Sequence, residues 1–537
     1  MTTTDLSDDE RASAAPYFTN TDRPVFALVN LPETVKGALF ARYSRSPKSL
    51  RRLFLDEFYE GVGGGPAATG GVKTDRADRL YQRVFNDYGD DSVAQLGGVH
   101  LAVEDASNIL TKVLERGRLM AYLEQSTRYI PYTDRRGGRW RYLVPAELDG
   151  HPLRDGYCRA LDETFEMYAG LIPTMQAWFE ARYPKAAGDS EPVHRAAIRA
   201  KALDTLRGLL PAATQSNVGI YGTGQAYESL LLRMRAHPLA EARQTADSML
   251  EELRKVIPAF LTRVDQPDRG GRWSQYLADT RARMSELAAR VTSGHDGAAS
   301  EEVALVDFDP EGETKVVAAA LYASTSLPDA QLMELARRMP AAEREQVLRA
   351  YVGDRSNRRH KPGRAFERTS YRFDILTDYG AFRDLQRHRL LTIDWQSLSP
   401  DHGYTQPEAI VEAGADAEWR AAMDRSASLF EALSKAGLGE VAQYAVSMAY
   451  RVRFVMDMNA REAMHTIELR TAPQGHPAYR RVCQRMHQLI DEVAGHHAIA
   501  QSMRFVDHST VELERLQEER RLEQKRARFE GQPGANR

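Results

Sequence analysis

Arg387, His388 and Arg389 fill three consecutive positions of the stretch LQRHRLLTIDWQSLS (385–399), with Asp394 the only acid inside it. Two guanidinium forks match the oxygens of a phosphate and can bind it through paired hydrogen bonds. Cations also suit the C-terminal end of any helix, where the macrodipole favours positive charge. Helical phasing of AFRDLQRHRLL puts Phe382, Leu385 and Leu390 towards a core and the triplet near such an end. On the residues alone both readings stand. A second set lies in RGRLMAYLEQSTRY (116–129), where Glu124, Ser126 and Arg128 alternate. An extended segment would turn that carboxylate, hydroxyl and cation to one side. The trio suits a phosphorylated ligand with further polar groups, and equally the polar outer face of a half-buried strand.

Other candidates have less pattern. Arg461 and His465 are four apart in MNAREAMHTIELR and can share one helical stripe, facing a ligand or forming a polar edge. His237 follows Arg233 by four, and His402 in SPDHGY reads as a loop histidine. His476, His487, His496 and His497 show no ligand spacing, and Cys158 and Cys483 are far apart, so no metal is expected.

These residues need elements to hold them. SQYLADTRARMSELAARV and LMELARRMPAAEREQVLRAYV have the helical period, and PVFALVN (24–30) and YRFDILT (371–377) are candidate strands. Residues 1–22 are expected to be a disordered arm and 293–313 an acidic, turn-rich linker. Residues 511–537 are expected to form an exposed, charged helical tail. The glycine-rich stretch 61–72 lacks the Lys-Ser/Thr of a phosphate loop and is expected to be a mobile loop or lid. A net charge of -3 gives no bulk attraction to nucleic acid or membrane, so neither is an expected partner. Two cysteines and the lack of a basic-then-apolar leader fit a reducing, cytoplasmic setting.

The chain of 537 residues also repeats itself. ALFARYS (38–44) parallels ALYASTS (320–326), VLERGRLMAYLEQS (113–126) parallels DLQRHRLLTIDWQS (384–397), and ESLLLRMRAHPLAEARQTAD (228–247) parallels HTIELRTAPQGHPAYRRVCQ (465–484). The order is the same in both halves, which implies a tandem duplication of residues 23–292 and 314–510.

With these pieces in view, the sequence resembles the flavin-dependent thymidylate synthases, whose signature is Arg-His-Arg, a seven-residue spacer and Ser. RHRLLTIDWQS (387–397) matches its first part, and RGRLMAYLEQSTRY (116–129) matches both arginines, Glu, Ser, Arg and Tyr. DDSVAQL (90–96), TLRGLLP (205–211), LLLRMRAHPLAEAR (230–243), MNAREAMHTIELR (458–470), ARYS (41–44) and ASTS (323–326) resemble further family motifs. Departures sort by half. The second half keeps Arg387, His388, Arg389, Asn459, Arg461 and Arg470 but has Trp395, Ser397, Ser399 and Gln443 at nucleotide-side positions. The first keeps Glu124, Ser126, Arg128, Arg207 and Arg233 but has Gly117, Gly222 and Gly224 at flavin-side ones.

The resemblance implies a helix-rich α/β (α+β) fold of two family-like halves, each a small sheet packed with helices. It implies one composite site that makes dTMP from dUMP with FAD, NADPH and methylenetetrahydrofolate. Arg470, Ser126 and Glu124 would be catalytic, with Arg470 polarising the base. Glu124, Ser126, Arg128, Arg207, Arg387 and Arg470 would bind the nucleotide. Arg387, His388, Arg389, Asn459 and Arg461 would hold FAD, with Ser44, Ser92 and Ser326 as lesser contacts. A homodimer or higher homo-oligomer is implied. Asp384, where the family has Gln, would repel a phosphate or demand another base edge. It keeps two alternatives open: a binding homologue without synthase activity, or a C5-modifying enzyme for another pyrimidine nucleotide.

Overall fold

Residues 6–43, 46, 48–59, 95–128, 130–295, 297 and 301–530 are described by a computed structural model. The glycine-rich stretch 61–72, Ser44 and Ser92 lie outside the described residues. The strands are β1 (Gly98–Ser107), β2 (Met120–Glu124), β3 (Arg135–Arg136), β4 (Arg139–Trp140), β5 (Gln215–Thr223), β6 (Val303–Phe308), β7 (Ser370–Asp378), β8 (Thr392–Trp395) and β9 (Arg451–Asn459). They form a three-stranded sheet β1-β5-β2, a β3-β4 hairpin and a four-stranded sheet β6-β7-β9-β8. Helices make up most of the rest, so the fold is the helix-rich α/β type with small antiparallel sheets.

The duplication is visible in the order of elements. β1, the helix Asn108–Leu114 and β2 precede two long helices, then β5 and the helix Gly224–Arg235. In the same way β7, the helix Tyr379–Leu385 and β8 precede the helix Asp416–Lys435, then β9 and the helix Ala460–Arg470. Each repeat places its last strand between the other two.

Two compact units cut across the repeat boundaries drawn from the sequence. One comprises Met1–Ala106, Val113–Gln125 and Asn217–His295; the other comprises Ser107–Lys112, Ser126–Ser216 and Asp296–Arg537. The first unit holds the three-stranded sheet and the helices Glu33–Tyr43, Gly224–Arg235, Ala240–Arg254 and Arg272–Val291. The second holds the four-stranded sheet and long helices from both repeats, Arg154–Arg182 and Glu191–Leu206 with Asp416–Lys435 and Pro477–Glu492.

Strand periodicity explains the second sheet. β7 buries Tyr371, Phe373, Ile375 and Thr377, and β9 buries Val452, Phe454, Met456 and Met458, every second residue. The opposite face pairs Arg453 with Asp374 (3.1 Å) and Arg372 with Asp457 (3.5 Å). Phe382, from the helix after β7, packs on Phe454 (5.0 Å between ring centroids) and Trp395 (5.4 Å).

Several local expectations are corrected. The arm is structured from residue 6 onward: Ser7 and Glu10 form a capping box that starts the helix Asp8–Ala14, and Tyr17 and Phe18 pack on Phe54. Residues 24–30 are not a strand; Leu28 makes only an isolated bridge to Phe18, and Asn30 has φ 54°. The stretch 293–313 contains β6, whose Val303 is buried against β7, and the start of the helix Gly312–Tyr322. The charged tail forms the helix Leu516–Glu530, and it is docked: Arg520 pairs with Asp189 (2.5 and 2.8 Å), Glu523 accepts from Ser190, and Glu514 accepts from Lys201 (2.6 Å). No described helix is long and apolar enough to cross a membrane.

Candidate functional site

The helix Glu191–Leu206 is the first element of the site. Ser190 caps its start by accepting from the Val193 N–H, and Pro192 fits the first turn, where its missing donor costs nothing. The helix tightens into a 3-10 turn at Arg207–Leu209 before Pro211, burying Leu203, Leu206, Leu209 and Leu210. That anchoring aims two buried side chains, Asp204 and Arg207, inward.

Asp204 accepts two parallel bonds from Arg128, 2.8 Å from Nε and 2.7 Å from Nη2. Arg128 also donates to the Tyr479 hydroxyl (3.0 Å) and the Gln474 carbonyl (3.2 Å). Tyr479 is held by the helix Pro477–Glu492, whose N-cap His476 accepts from the Ala478 N–H. Sequence reasoning missed Asp204; its one legible signal was an acid among apolar neighbours in KALDTLRGLL.

Arg207 Nη1 meets Asp384 Oδ2 at 3.3 Å. Asp384 stands on the short helix Tyr379–Leu385, which Asp378 caps through the Ala381 N–H. Gly380 lets that helix approach, since a Cβ there would lie 3.1 Å from Arg207 Nε. Arg387 donates to Asp384 Oδ1, and Arg470 Nη1 lies 3.8 Å from the same oxygen. Burial pushes the Asp384 carboxyl up, but Arg387, Arg207, Arg470 and Arg128 outweigh it and hold it well below the usual carboxylate range. Arg207 Nη2 is buried and has no hydrogen-bond partner.

β9 and the helix Ala460–Arg470 place the third wall. Asn459 caps that helix by accepting from the Glu462 N–H (2.9 Å). Thr223 takes the corresponding cap in the first repeat. Glu462, Thr466 and Arg470 fall at i, i+4 and i+8, one stripe that faces His388. Arg470 Nε donates to His388 Nε2 (2.9 Å), so the ring proton sits on Nδ1 and points to Thr466 Oγ1 (3.0 Å), with Glu462 Oε1 at 3.5 Å. Burial and then Arg470 hold the ring neutral, well below its ordinary range. Burial raises Glu462 to about 7 and lowers His465 to about 4, the latter helped by Lys361, Arg358, Arg470 and Arg461.

His388, Glu462 and His465 offer nitrogen and oxygen atoms within 4.8 Å of one another. They do not fit a divalent cation. His388 Nε2 already accepts from Arg470, Nδ1 is protonated, and four cations depress the His465 ring. The same surroundings suit an anion.

The signature residues divide. The helix expected through Leu390 ends at Leu385, so Phe382 and Leu385 are buried but Leu390 is exposed. Arg387 is half-buried, His388 buried and Arg389 exposed. Arg461 is tied to the Pro362 carbonyl (2.9 Å) and Glu367 (3.5 Å). Ser326 is exposed beyond the end of the helix Gly312–Tyr322. The expected alternation through Arg128 stops early: β2 ends at Glu124, and the Ser126 hydroxyl accepts from the Arg128 N–H (3.2 Å) as the chain turns. Glu124 belongs to the first compact unit, Ser126 and Arg128 to the second. Gln443, at the position corresponding to Arg207, binds the Leu398 N–H and Glu440 instead.

Burial also lowers His237 to about 4 and depresses Arg233, both in the first unit. Gly117 donates its N–H to the Tyr122 hydroxyl (3.1 Å), which stands where a Cβ would go.

The sequence model described as thymidylate synthase complementing protein matches residues 41–259 and 304–495. A UPF0159 protein of Chlamydia muridarum is 37% identical over 96% of this chain and 98% of its own, and one of Thermoplasma acidophilum is 30% identical over 90% and 97%. A flavin-dependent thymidylate synthase of Mycobacterium sp. (strain KMS) is 30% identical over 33% of this chain and 67% of its own. The solved structure of a UMP/dUMP methylase from Streptomyces cacaoi, bound with 5-Br dUMP, covers 37% of this chain and 94% of that one at 20% identity and TM-score 0.29.

Proposed function

The chain belongs to the thymidylate synthase complementing protein family, and from that premise we propose that it is a flavin-dependent thymidylate synthase-like methyltransferase that converts dUMP to dTMP. Methylenetetrahydrofolate would give the methylene group and NADPH the reducing equivalents. One observation carries the reading: Arg207 from the first repeat and Arg387 and Arg470 from the second converge on one carboxylate, beside Arg128.

Arginine forks bind and orient a phosphate, and in a dry setting their charge acts strongly on a polarised ring carbonyl. Arg128, Arg207 and Arg387 hold the nucleotide, and Arg470 stabilises negative charge developing on the pyrimidine. The buried, unpartnered Nη2 of Arg207 is a donor ready for such a ligand. Ser126 orients the nucleotide. The cationic surroundings of His388 and His465 fit the diphosphate of FAD, which Arg387, Arg389, Arg461 and neutral His388 would hold. Asn459 acts through the helix it caps. Bound FAD supplies hydride-transfer chemistry. A cytoplasmic homo-oligomer is proposed with it.

Asp384 favours a second reading, because a carboxylate within the arginine cluster alters what nucleotide fits: a C5-modifying enzyme for another pyrimidine nucleotide, or a binding homologue. The experiment separates these. Purified protein should be yellow, bleach with NADPH, and carry deuterium from labelled reductant into dTMP when given dUMP and methylenetetrahydrofolate. Colourless protein that ignores added FAD supports the binding role, and bleaching without dTMP supports another substrate.

A further inference from the structure

Arg195 and Arg199 stand one turn apart on the helix Glu191–Leu206, and both are exposed. Beside them Ala196, Ala200 and Leu203 follow at helical spacing and form an apolar strip. The two alanines are too small to fill the space in front of them. A cavity of about 560 Å³ remains there, walled by Arg128, Arg195, Arg199, the apolar strip and Glu519 of the C-terminal helix, all within the second compact unit. Arg195 and Arg199 also line a second cavity of about 500 Å³ with Ile172 and Pro173. Either volume suits a small molecule.

We propose that the first cavity binds an organic anion, a small molecule with an apolar body and a phosphate or carboxylate group, and that Arg199 and Arg128 hold the anionic end. Arg195 already pairs with Glu191 at 3.5 Å, and Glu519 with Arg515 at 3.1 Å. Arg199 has no ion pair and no side-chain hydrogen bond among the described residues. Buried Arg128 donates from Nε and Nη2 to Asp204, from Nη2 to the Gln474 carbonyl and from Nη1 to the Tyr479 hydroxyl. A guanidinium carries five N–H groups, so one on Nη1 is left without an acceptor among the described residues. Both forks match the oxygens of a phosphate or a carboxylate, and the strip of Ala196, Ala200 and Leu203 suits the body attached to it. Two molecules of the proposed reaction have that chemistry: the nucleotide through its phosphate, and the folate through its glutamate carboxylates. The site stands on the cavity and its arginines and does not need the nucleotide reading.

The test is calorimetric titration of the full chain with dUMP, with 4-aminobenzoylglutamate (the acidic end of a folate) and with inorganic phosphate. At least one of the two organic anions should bind more tightly than inorganic phosphate. Arg199 is exposed, so its replacement leaves the fold intact. Arg199→Ala should weaken the bound organic anion about tenfold, and Arg199→Lys should weaken it less, because the charge stays while the fork is lost. Glu519→Gln should tighten it about twofold to fivefold by removing a negative charge from the wall. The ligand that responds identifies the source, nucleotide or folate. Inorganic phosphate that binds as tightly as either organic anion marks an adventitious ion only and overturns the proposal. Affinities that Arg199→Ala leaves unchanged also overturn it, and if dUMP is bound in that case the nucleotide reading stands. Absent dUMP binding, with 4-aminobenzoylglutamate weakened by Arg199→Ala, overturns the nucleotide reading and upholds the site. Binding of neither organic anion overturns both.

Discussion

Arg207 and Asp384 stand 177 positions apart in the chain, one in each repeat, and meet side chain to side chain at 3.3 Å in a buried setting. The contact joins the 3-10 turn after the helix Glu191–Leu206 to the helix that follows β7. Its consequences are measurable.

Arg207→Gln installs the residue that the second repeat has at the corresponding position, Gln443. A charge-assisted bond of ~1.5–3 kcal/mol is lost, so dUMP affinity should fall about tenfold to a hundredfold. Calorimetric titration checks this. Unchanged affinity would remove Arg207 from the nucleotide side.

Asp204→Asn removes the counter-charge of Arg128 and one of its two acceptor oxygens, leaving a buried guanidinium with an amide oxygen, Tyr479 and a carbonyl. Breaking one side of a buried pair costs about 3–5 kcal/mol. Urea unfolding should show that loss at pH 7, with the midpoint reduced and the slope unchanged.

Glu462 gives a pH signature. Its folded pKa, raised to about 7 from 4.5 by burial, means the folded state binds more protons than the unfolded one between those values. Its contribution to stability is therefore full below pH 4.5 and lost as pH rises through about 7. His465 and His388, both depressed, act in the opposite direction and lose stability as pH falls from 6.5. Glu462→Gln removes only the first effect. The variant should gain up to ~3 kcal/mol on wild type between pH 4.5 and pH 8, read as the difference of two unfolding curves. A constant difference across that range would refute the assignment.

Asp189→Asn should loosen the C-terminal helix. The Arg520–Asp189 pair is partly exposed and worth ~0.2–1 kcal/mol, so global stability should change little. Hydrogen exchange should instead rise across residues 516–527 while that of the helix Glu191–Leu206 holds.

Much of this could be read from the chain. YRFDILT alternates cleanly and is a strand, because one face of β7 is buried and the other carries charge pairs. The duplicated order of strand, short helix and strand followed from recurring motifs, since each repeat solves the same local packing problem. The Arg-His-Arg triplet was legible as unusual, yet its division into a half-buried arginine, a buried histidine and an exposed arginine was not. That division depends on where the helix stops, and Leu385, not Leu390, is its last residue.

By itself the sequence determined the repeats, the helical period of much of the chain, the strand YRFDILT with its strict two-residue period, and which arginines each half retained. Those follow from local pattern, where neighbours along the chain supply the information. Only the tertiary structure decided that Asp204 belongs to Arg128, that Asp384 gathers three arginines, and that His388 carries its proton on Nδ1. A charge in a sequence declares its sign but not its partner. The partner is fixed by how distant helices pack, and in a buried setting that choice governs the protonation state.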